Sequence, residues 1–132
     1  VSDLSSCGAE GLERRFGPPG GQDYVLQLGG NNVEGISNCL RHLSNHGYSS
    51  FREINLNCGC PSIESGGAAS YGASLMKQPD LTRDLLLSIS ESKGCEETAV
   101  SLKCRIAVYD TPDDMTTDGR LSEEQYEKLH NY

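Results

Sequence analysis

The chain has 132 residues, the length of one domain or of part of a larger one. Its formal net charge of −8 argues against an RNA-binding surface on this chain, because such surfaces are usually basic. No apolar run approaches the roughly 20 residues that span a bilayer, so the composition predicts a soluble protein and excludes a membrane-spanning one.

Six cysteines could form a disulfide framework, but their spacing is irregular and no signal-peptide pattern is present. Reduced thiols in an intracellular protein fit better, and we expect the cytoplasm as the compartment, with an organelle as the alternative. Cys58 and Cys60 flank a single glycine, without the wider gap and second cysteine pair typical of structural zinc. We therefore predict no metal site.

The N-terminal part of the chain is predicted to be irregular up to a first strand. Residues 1–22 are rich in Gly, Ser and Pro, so we expect a loop there. Residues 24–28 form a short apolar run typical of a buried strand, which the glycines at 29 and 30 end. Because the chain starts with Val1 and stops inside a predicted helix, we expect both ends to be cut.

Helices and strands are predicted to alternate over residues 23–132. The first helix begins after an N-cap at Asn31 or Asn32 and stops near Gly47, with apolar residues at helical spacing. The later elements are a strand at 53–57, a Gly-rich loop from 58 to 72, a helix at about 80–92, a strand at 99–104 and a helix from about 121. This order is the pattern of parallel βαβ units.

Functional groups of α/β proteins collect at the carboxyl ends of the strands. The three predicted strand ends carry the amides of Gln27 and Asn57, the thiol of Cys60 and the cations of Lys103 and Arg105. Together these groups could hold a flat heteroaromatic ring and its phosphate. Each has a plainer alternative: a strand asparagine is often a structural hydrogen-bonding residue, and a strand-end lysine can be solvated.

Two other groups of side chains are expected to have no ligand. His42 and His46 lie four residues apart on the first helix, where we expect them to face solvent. The acidic residues between 110 and 118 lack the Gly and Glu placement of a calcium loop, and we expect a solvated loop there.

Ordered sequence blocks resemble a known family. Residues 55–62, Asn-Leu-Asn-Cys-Gly-Cys-Pro-Ser, are followed by Gly66-Gly67 and by Tyr71-Gly72-Ala73-Ser74-Leu75-Met76. This arrangement is similar to the signature of the tRNA-dihydrouridine synthases, and the flanking strands resemble theirs, so that the similarity extends from about residue 24 to 109. Ser62 and the Tyr-Gly-Ala block look most like the subgroup that acts at positions 20/20a of the tRNA D-loop.

The resemblance implies a fold and an activity. The fold would be α/β, with this chain the central fragment of a TIM (β/α)8 barrel, about three βα units long. Residues 1–132 would be part of the FMN-binding catalytic domain, without the helical tRNA-binding domain. The enzyme would reduce uridine in tRNA to 5,6-dihydrouridine, with FMN as cofactor and NADPH as reductant. It implies tRNA as partner, no membrane and no obligate protein partner.

The resemblance also implies roles for single residues. Cys60 stands at the Gly-Cys-Pro position and would protonate C5 of a flipped-out uridine after hydride transfer from the flavin to C6. Gln27, Asn57 and Lys103 would bind FMN, Asn57 beside the flavin or the uracil. Arg105 would face the substrate or a phosphate.

The chain departs from the family pattern at two positions. Cys58 stands where the family usually has an apolar residue, so we predict that it packs in the core. Ala107 stands where a glycine is usual, and none of the three histidines matches the family's active-site histidine. We expect this chain by itself to lack a complete FMN site.

Other function classes remain as alternatives. One is an FMN barrel oxidoreductase of the dihydroorotate or dihydropyrimidine dehydrogenase kind. Another is a non-catalytic α/β module. The Gly59-Cys60-Pro61 block and residues 72–76 favour the tRNA enzyme.

Overall fold

The fold is an α/β arrangement built around one three-stranded parallel sheet. The computed structural model describes residues 2–20, 22–60, 71–92, 94–95, 97–108 and 120–132. Its elements are α1 (Ser2–Ser5), α2 (Ala9–Phe16), β1 (Gln22–Leu28), α3 (Val33–Asn45), β2 (Phe51–Cys58), a 3-10 helix (Gly72–Lys77), α4 (Pro79–Ser90), β3 (Ala99–Cys104) and α5 (Glu123–His130). Pro61, Ser62, Gly66-Gly67, Tyr109 and the acidic run at 110–118 lie outside the described residues.

The strands follow one another across the sheet in the order β1-β2-β3, and both neighbouring pairs are parallel. Helix α3 connects β1 to β2, and α4 lies between β2 and β3. The predicted βαβ units are therefore confirmed. Residues that are paired across neighbouring parallel strands have their side chains on the same face of the sheet. Asn55 pairs with Gln27 on one side and with Ser101 on the other.

Helix α3 has the cap and the apolar stripe that its sequence predicts. The side-chain oxygen of Asn32 accepts a hydrogen bond from the backbone N–H of Gly35 at 2.5 Å, so Asn32 rather than Asn31 is the N-cap. Gly47, just beyond the helix, has φ of 84°, a conformation that glycine adopts without penalty. Helix α5 is capped in the same way by Ser122.

The two faces of the sheet differ in chemistry. Alternate residues of β2, Ile54, Leu56 and Cys58, are fully buried in the core shared with α3 and α4. The intervening residues, Glu53, Asn55 and Asn57, lie on the opposite face. One face therefore makes the core, and the other carries polar groups.

The loop predicted for residues 1–22 is wrong over most of its length, because helices α1 and α2 occupy it. Leu12 is 0% exposed, and the ring centroid of Phe16 lies 5.6 Å from that of Tyr48. Burial of these two side chains stabilises α2, although the local composition is that of a loop. Helix α2 ends at Phe16, and its C-cap residue Gly17 has φ of 76°, at the start of the glycine- and proline-rich segment 17–20.

The solvent-facing placement predicted for His42 and His46 is also wrong. Both rings are partly buried, and His42 Nε2 lies 2.7 Å from the carbonyl oxygen of Cys7 in the turn after α1. His46 Nδ1 lies 2.9 Å from the carbonyl oxygen of His42. Within the described ranges, no group of three or more candidate ligands is placed to hold a metal ion.

Two further features bear on the class of protein. All six cysteines are free thiols. In the part of the chain that the structure describes, none of the helices combines the length and the apolar character needed to cross a membrane.

Candidate active site

A continuous chain of hydrogen bonds crosses the polar face of the sheet. Asn57 Nδ2 donates to Gln27 Oε1 at 3.3 Å, and Gln27 Nε2 donates to Asn55 Oδ1 at 2.8 Å. Asn55 Nδ2 in turn donates to Ser101 Oγ at 2.8 Å. The hydroxyl of Ser101 donates to the carboxylate of Glu53. We name these five residues the amide chain, which joins all three strands.

Asn57 also fixes the turn that carries Cys60. Its Oδ1 accepts hydrogen bonds from the backbone N–H groups of Gly59 and Cys60, both at 3.0 Å. Asparagine favours such turns because its side chain can accept from backbone groups two or three residues further on. The amide chain therefore ends at the backbone of Cys60.

The carbonyl side of Cys60 is held by the 3-10 helix. The backbone N–H of Ala73 donates to Cys60 O at 2.9 Å. Gly72 has φ of 69°, and a β-carbon there would lie 2.5 Å from Cys60 O. Only glycine permits this approach, which explains the glycine at the start of the Gly72–Met76 block. Cys60 is thus fixed on both sides while its side chain stays half-buried.

Both predicted cations lie at the same turn. Lys103 pairs with Asn57 across the sheet, and its Nζ would be 2.9 Å from a β-carbon at Gly59. Arg105 Nε donates to Gly59 O at 2.6 Å, and its backbone N–H donates to Met76 Sδ at 3.3 Å. Gly59 is therefore close to both an ammonium and a guanidinium group.

Cys58 belongs to the core, as predicted. It is 0% exposed on the helix face of β2, and burial raises the pKa of its thiol. The hydroxyl of Tyr132 contacts this thiol and lies 3.2 Å from Thr82 Oγ1. Burial, followed by the hydrogen bond to Cys58, raises the pKa of Tyr132. A buried thiol with a raised pKa is a poor reactive centre.

The structure brings together all five site residues that the sequence singles out. Gln27, Asn57 and Lys103 lie on one face of the sheet, and Cys60 and Arg105 are at the adjoining turn. Glu53 and Ser101 belong to the same network, although they are not among the residues predicted from the sequence. Polar residues at 53, 55 and 57, two apart on a predicted strand, were the signal that could have indicated a polar face.

The arrangement offers a distinct set of chemical groups. The amides provide N–H donors and carbonyl acceptors for the edge of a polar ring, and the cations can stabilise negative charge. The thiol of Cys60 can donate a proton from a backbone that is held in place.

Comparison with known proteins identifies the family. The family model described as "Dihydrouridine synthase (Dus)" matches residues 13–123. The tRNA-dihydrouridine(20/20a) synthase of Xylella fastidiosa is 38% identical over 92 residues, which are 70% of this chain and 25% of that protein. The enzyme of the same name from Xanthomonas campestris is 39% identical over 91 residues, 67% of this chain and 24% of that protein.

A third relative of the same name, from Vibrio parahaemolyticus, is 38% identical over 88 residues, 65% of this chain and 24% of its own length. The chain therefore spans about a quarter of the length of the curated relatives it matches. The resemblance drawn from the Asn55–Met76 blocks is confirmed. Since the family model covers most of the residues, this chain belongs to the dihydrouridine synthase family.

Proposed function

We propose that the chain is part of an FMN-dependent tRNA-dihydrouridine synthase, which reduces uridine to 5,6-dihydrouridine in the tRNA D-loop. The observation that carries this proposal is the placement of Cys60. Its backbone is held by Asn57 on one side and by Ala73 on the other, beside the predicted flavin ligands. The names of the three relatives, tRNA-dihydrouridine(20/20a) synthases, support the same activity and tRNA as substrate.

The proposed architecture is the central part of a TIM barrel. Three parallel strands with helices on one face, and polar side chains on the other, are what a segment of such a barrel would contain. The polar face would then point to the barrel interior, with the site at the carboxyl ends of the strands. Residues 1–132 would belong to the FMN-binding catalytic domain, and a helical tRNA-binding domain would lie outside this chain.

The side chains present fit a flavin ring. The hydrogen bonds of Gln27 within the amide chain use one of its two N–H groups and one side of its oxygen. The other N–H and the other acceptor position are suited to the polar edge of the ring. Gln27, Asn57 and Lys103 would hold FMN, and Lys103 would stabilise negative charge on it. A bound FMN, reduced by NADPH, would supply a hydride to the uracil ring.

The residues of the chain have separate tasks in this reaction. Cys60 keeps its Sγ proton until it is delivered to C5 of the uracil, so that hydride and proton together saturate one double bond. The uridine must leave its stack for the ring face to be reached. Arg105, anchored through Nε to Gly59 O, retains N–H groups that can bind a phosphate or the substrate.

We further propose that the enzyme acts on cytoplasmic tRNA, with no obligate protein partner. A reaction on an organellar tRNA is the alternative, which subcellular fractionation of the tagged protein would reveal.

The proposal is tested with the full-length protein. We expect it to bind about one FMN per chain, seen as flavin absorbance, and to convert uridine in unmodified tRNA when NADPH is supplied. Dihydrouridine is measured by mass spectrometry of nuclease digests, with tRNA incubated without NADPH as the control. A protein that carries no flavin and forms no dihydrouridine would overturn the proposal.

A further inference from the structure

The direction of the amide chain is fixed at the Glu53 end. A carboxylate only accepts hydrogen bonds, so the hydroxyl of Ser101 must donate to it. The single proton of Ser101 is then used, and its oxygen must accept from Asn55 Nδ2. Asn55 therefore presents its oxygen to Gln27.

The opposite end imposes the same direction. The backbone N–H groups of Gly59 and Cys60 can only donate, so Asn57 must present Oδ1 to them. Its Nδ2 is then the atom that faces Gln27 Oε1. The two ends of the amide chain require the same direction. Only this arrangement pairs a donor with an acceptor at each hydrogen bond of the chain. In the reversed arrangement, Asn57 Nδ2 would face two N–H donors.

Gln27 lies in the middle of this chain and takes its orientation from it. The oxygen and nitrogen of an amide are similar in size, so packing alone barely distinguishes the two orientations. Hydrogen bonding decides between them, because Gln27 donates to Asn55 and accepts from Asn57. The remaining donor and acceptor of Gln27 consequently have defined directions towards any ring bound on this face.

We propose that Glu53 is a positioning residue, whose carboxylate, through Ser101 and Asn55, fixes the donor side of the Gln27 amide for a bound flavin, as Asn57 fixes its acceptor side. The inference rests on the proposed function of this site. Glu53 lies on β2 and acts on Gln27 through the hydrogen bonds of Ser101 and Asn55. A carboxylate suits this role because it accepts strongly and cannot donate.

The test uses the full-length protein and three variants. Glu53→Met keeps the length of the side chain but removes the acceptor. Glu53→Gln retains an acceptor oxygen for Ser101. Arg52→Met is the matched control, because Arg52 precedes Glu53 on β2 and is largely exposed. The dissociation constant of FMN is measured by reconstituting the apoprotein, alongside dihydrouridine formation.

We expect Glu53→Met to weaken FMN binding about tenfold, the effect of one hydrogen bond between Gln27 and the ring that is lost when the amide turns. Glu53→Gln should restore affinity to within about threefold of the native protein, and Arg52→Met should leave it unchanged. Ser101→Ala breaks the same chain, so adding it to Glu53→Met should cause no further loss. Additive losses, or equal affinities of Glu53→Met and Arg52→Met, would overturn the inference.

The outcomes separate this inference from the proposed function. A native protein without flavin and without dihydrouridine formation refutes the function. A native protein that is active, with an equally active and flavin-replete Glu53→Met variant, refutes only the positioning role. If Glu53→Met does not fold, Ser101→Ala alone gives the same test, since it removes a single oxygen from the chain.

Discussion

Gly72 lies so close to Cys60 that a β-carbon on it would be 2.5 Å from the Cys60 carbonyl oxygen. The same carbonyl accepts the backbone N–H of Ala73 at 2.9 Å. The start of the 3-10 helix and the turn after β2 therefore form one unit, although ten or so residues of chain separate them. The position of the thiol depends on this contact.

We expect Gly72→Ala to lower the stability of the protein by about 1–3 kcal/mol, because φ of 69° and the clash with a backbone atom both oppose it. Dihydrouridine formation should fall with it as Cys60 moves. Thermal unfolding and tRNA modification measure the two effects. Gly11→Ala is the control: its β-carbon would lie 3.6 Å from Cys7 Sγ, an ordinary contact, within helix α2. Similar behaviour of both variants would contradict the role of Gly72.

Cys60 and Cys58 should respond differently to substitution. Cys60→Ala removes the proposed proton donor and should slow dihydrouridine formation by about 10²–10⁴-fold. Cys58→Ala removes a fully buried sulfur from the core and should cost about 1 kcal/mol of stability while most activity remains. The dihydrouridine content of tRNA modified by each purified variant gives the comparison. Equal loss in the two variants would remove the assignment of Cys60.

Lys103→Met should weaken FMN binding by about tenfold, because it removes the cation that we propose as a flavin ligand, at a position paired with Asn57. Fluorescence titration of the apoprotein with FMN measures the change. Lys128→Met serves as the control, since Lys128 forms an exposed ion pair with Glu124 on α5. An affinity for FMN that is the same in both variants would show that Lys103 is only a solvated side chain.

Tyr132 should make stability fall at high pH. Burial raises the pKa of Tyr132 above its ordinary value, so the unfolded chain loses this proton first as the pH rises. The stabilising contribution is complete below about pH 10 and is lost as the pH rises beyond it. The urea midpoint, followed from about pH 9 to about pH 11, should decline less steeply in Tyr132→Phe than in the native protein. Parallel slopes would contradict this prediction.

The regular elements with strong local signals were predictable from the sequence. Strand β3 has the predicted limits, residues 99–104, and α3 begins after the predicted cap at Asn32. Helix α2 was not predictable, because its stability comes from Leu12 and Phe16 packing against distant residues rather than from its composition. The partial burial of His42 depends on the turn after α1, so it escaped prediction for the same reason.

The candidate site shows a similar division. Cys60, Gln27, Asn57, Lys103 and Arg105 were identifiable because each stands at or just beyond a strand end. Glu53 and Ser101 lie further back along their strands. Their part in the site depends on the register between β2 and β3, which pairs Asn55 with Ser101. Register between parallel strands is a tertiary property, and a single sequence specifies it only through the packing of the core.

Buried apolar residues alternate with polar residues along β2, so the register in which the sheet folds also determines where the polar side chains of the site lie. A slip of one residue would turn Glu53, Asn55 and Asn57 into the core and expose Ile54, Leu56 and Cys58, all of which are 0% exposed. Such a misaligned strand would bury a carboxylate and two amides without partners. The free-energy cost of this burial disfavours the misaligned register during folding. Burial of the apolar residues of β2 therefore fixes the alignment of Asn55 and Asn57. Substitutions at Leu56 should therefore be tolerated as poorly as substitutions at Asn55 and Asn57 beside it.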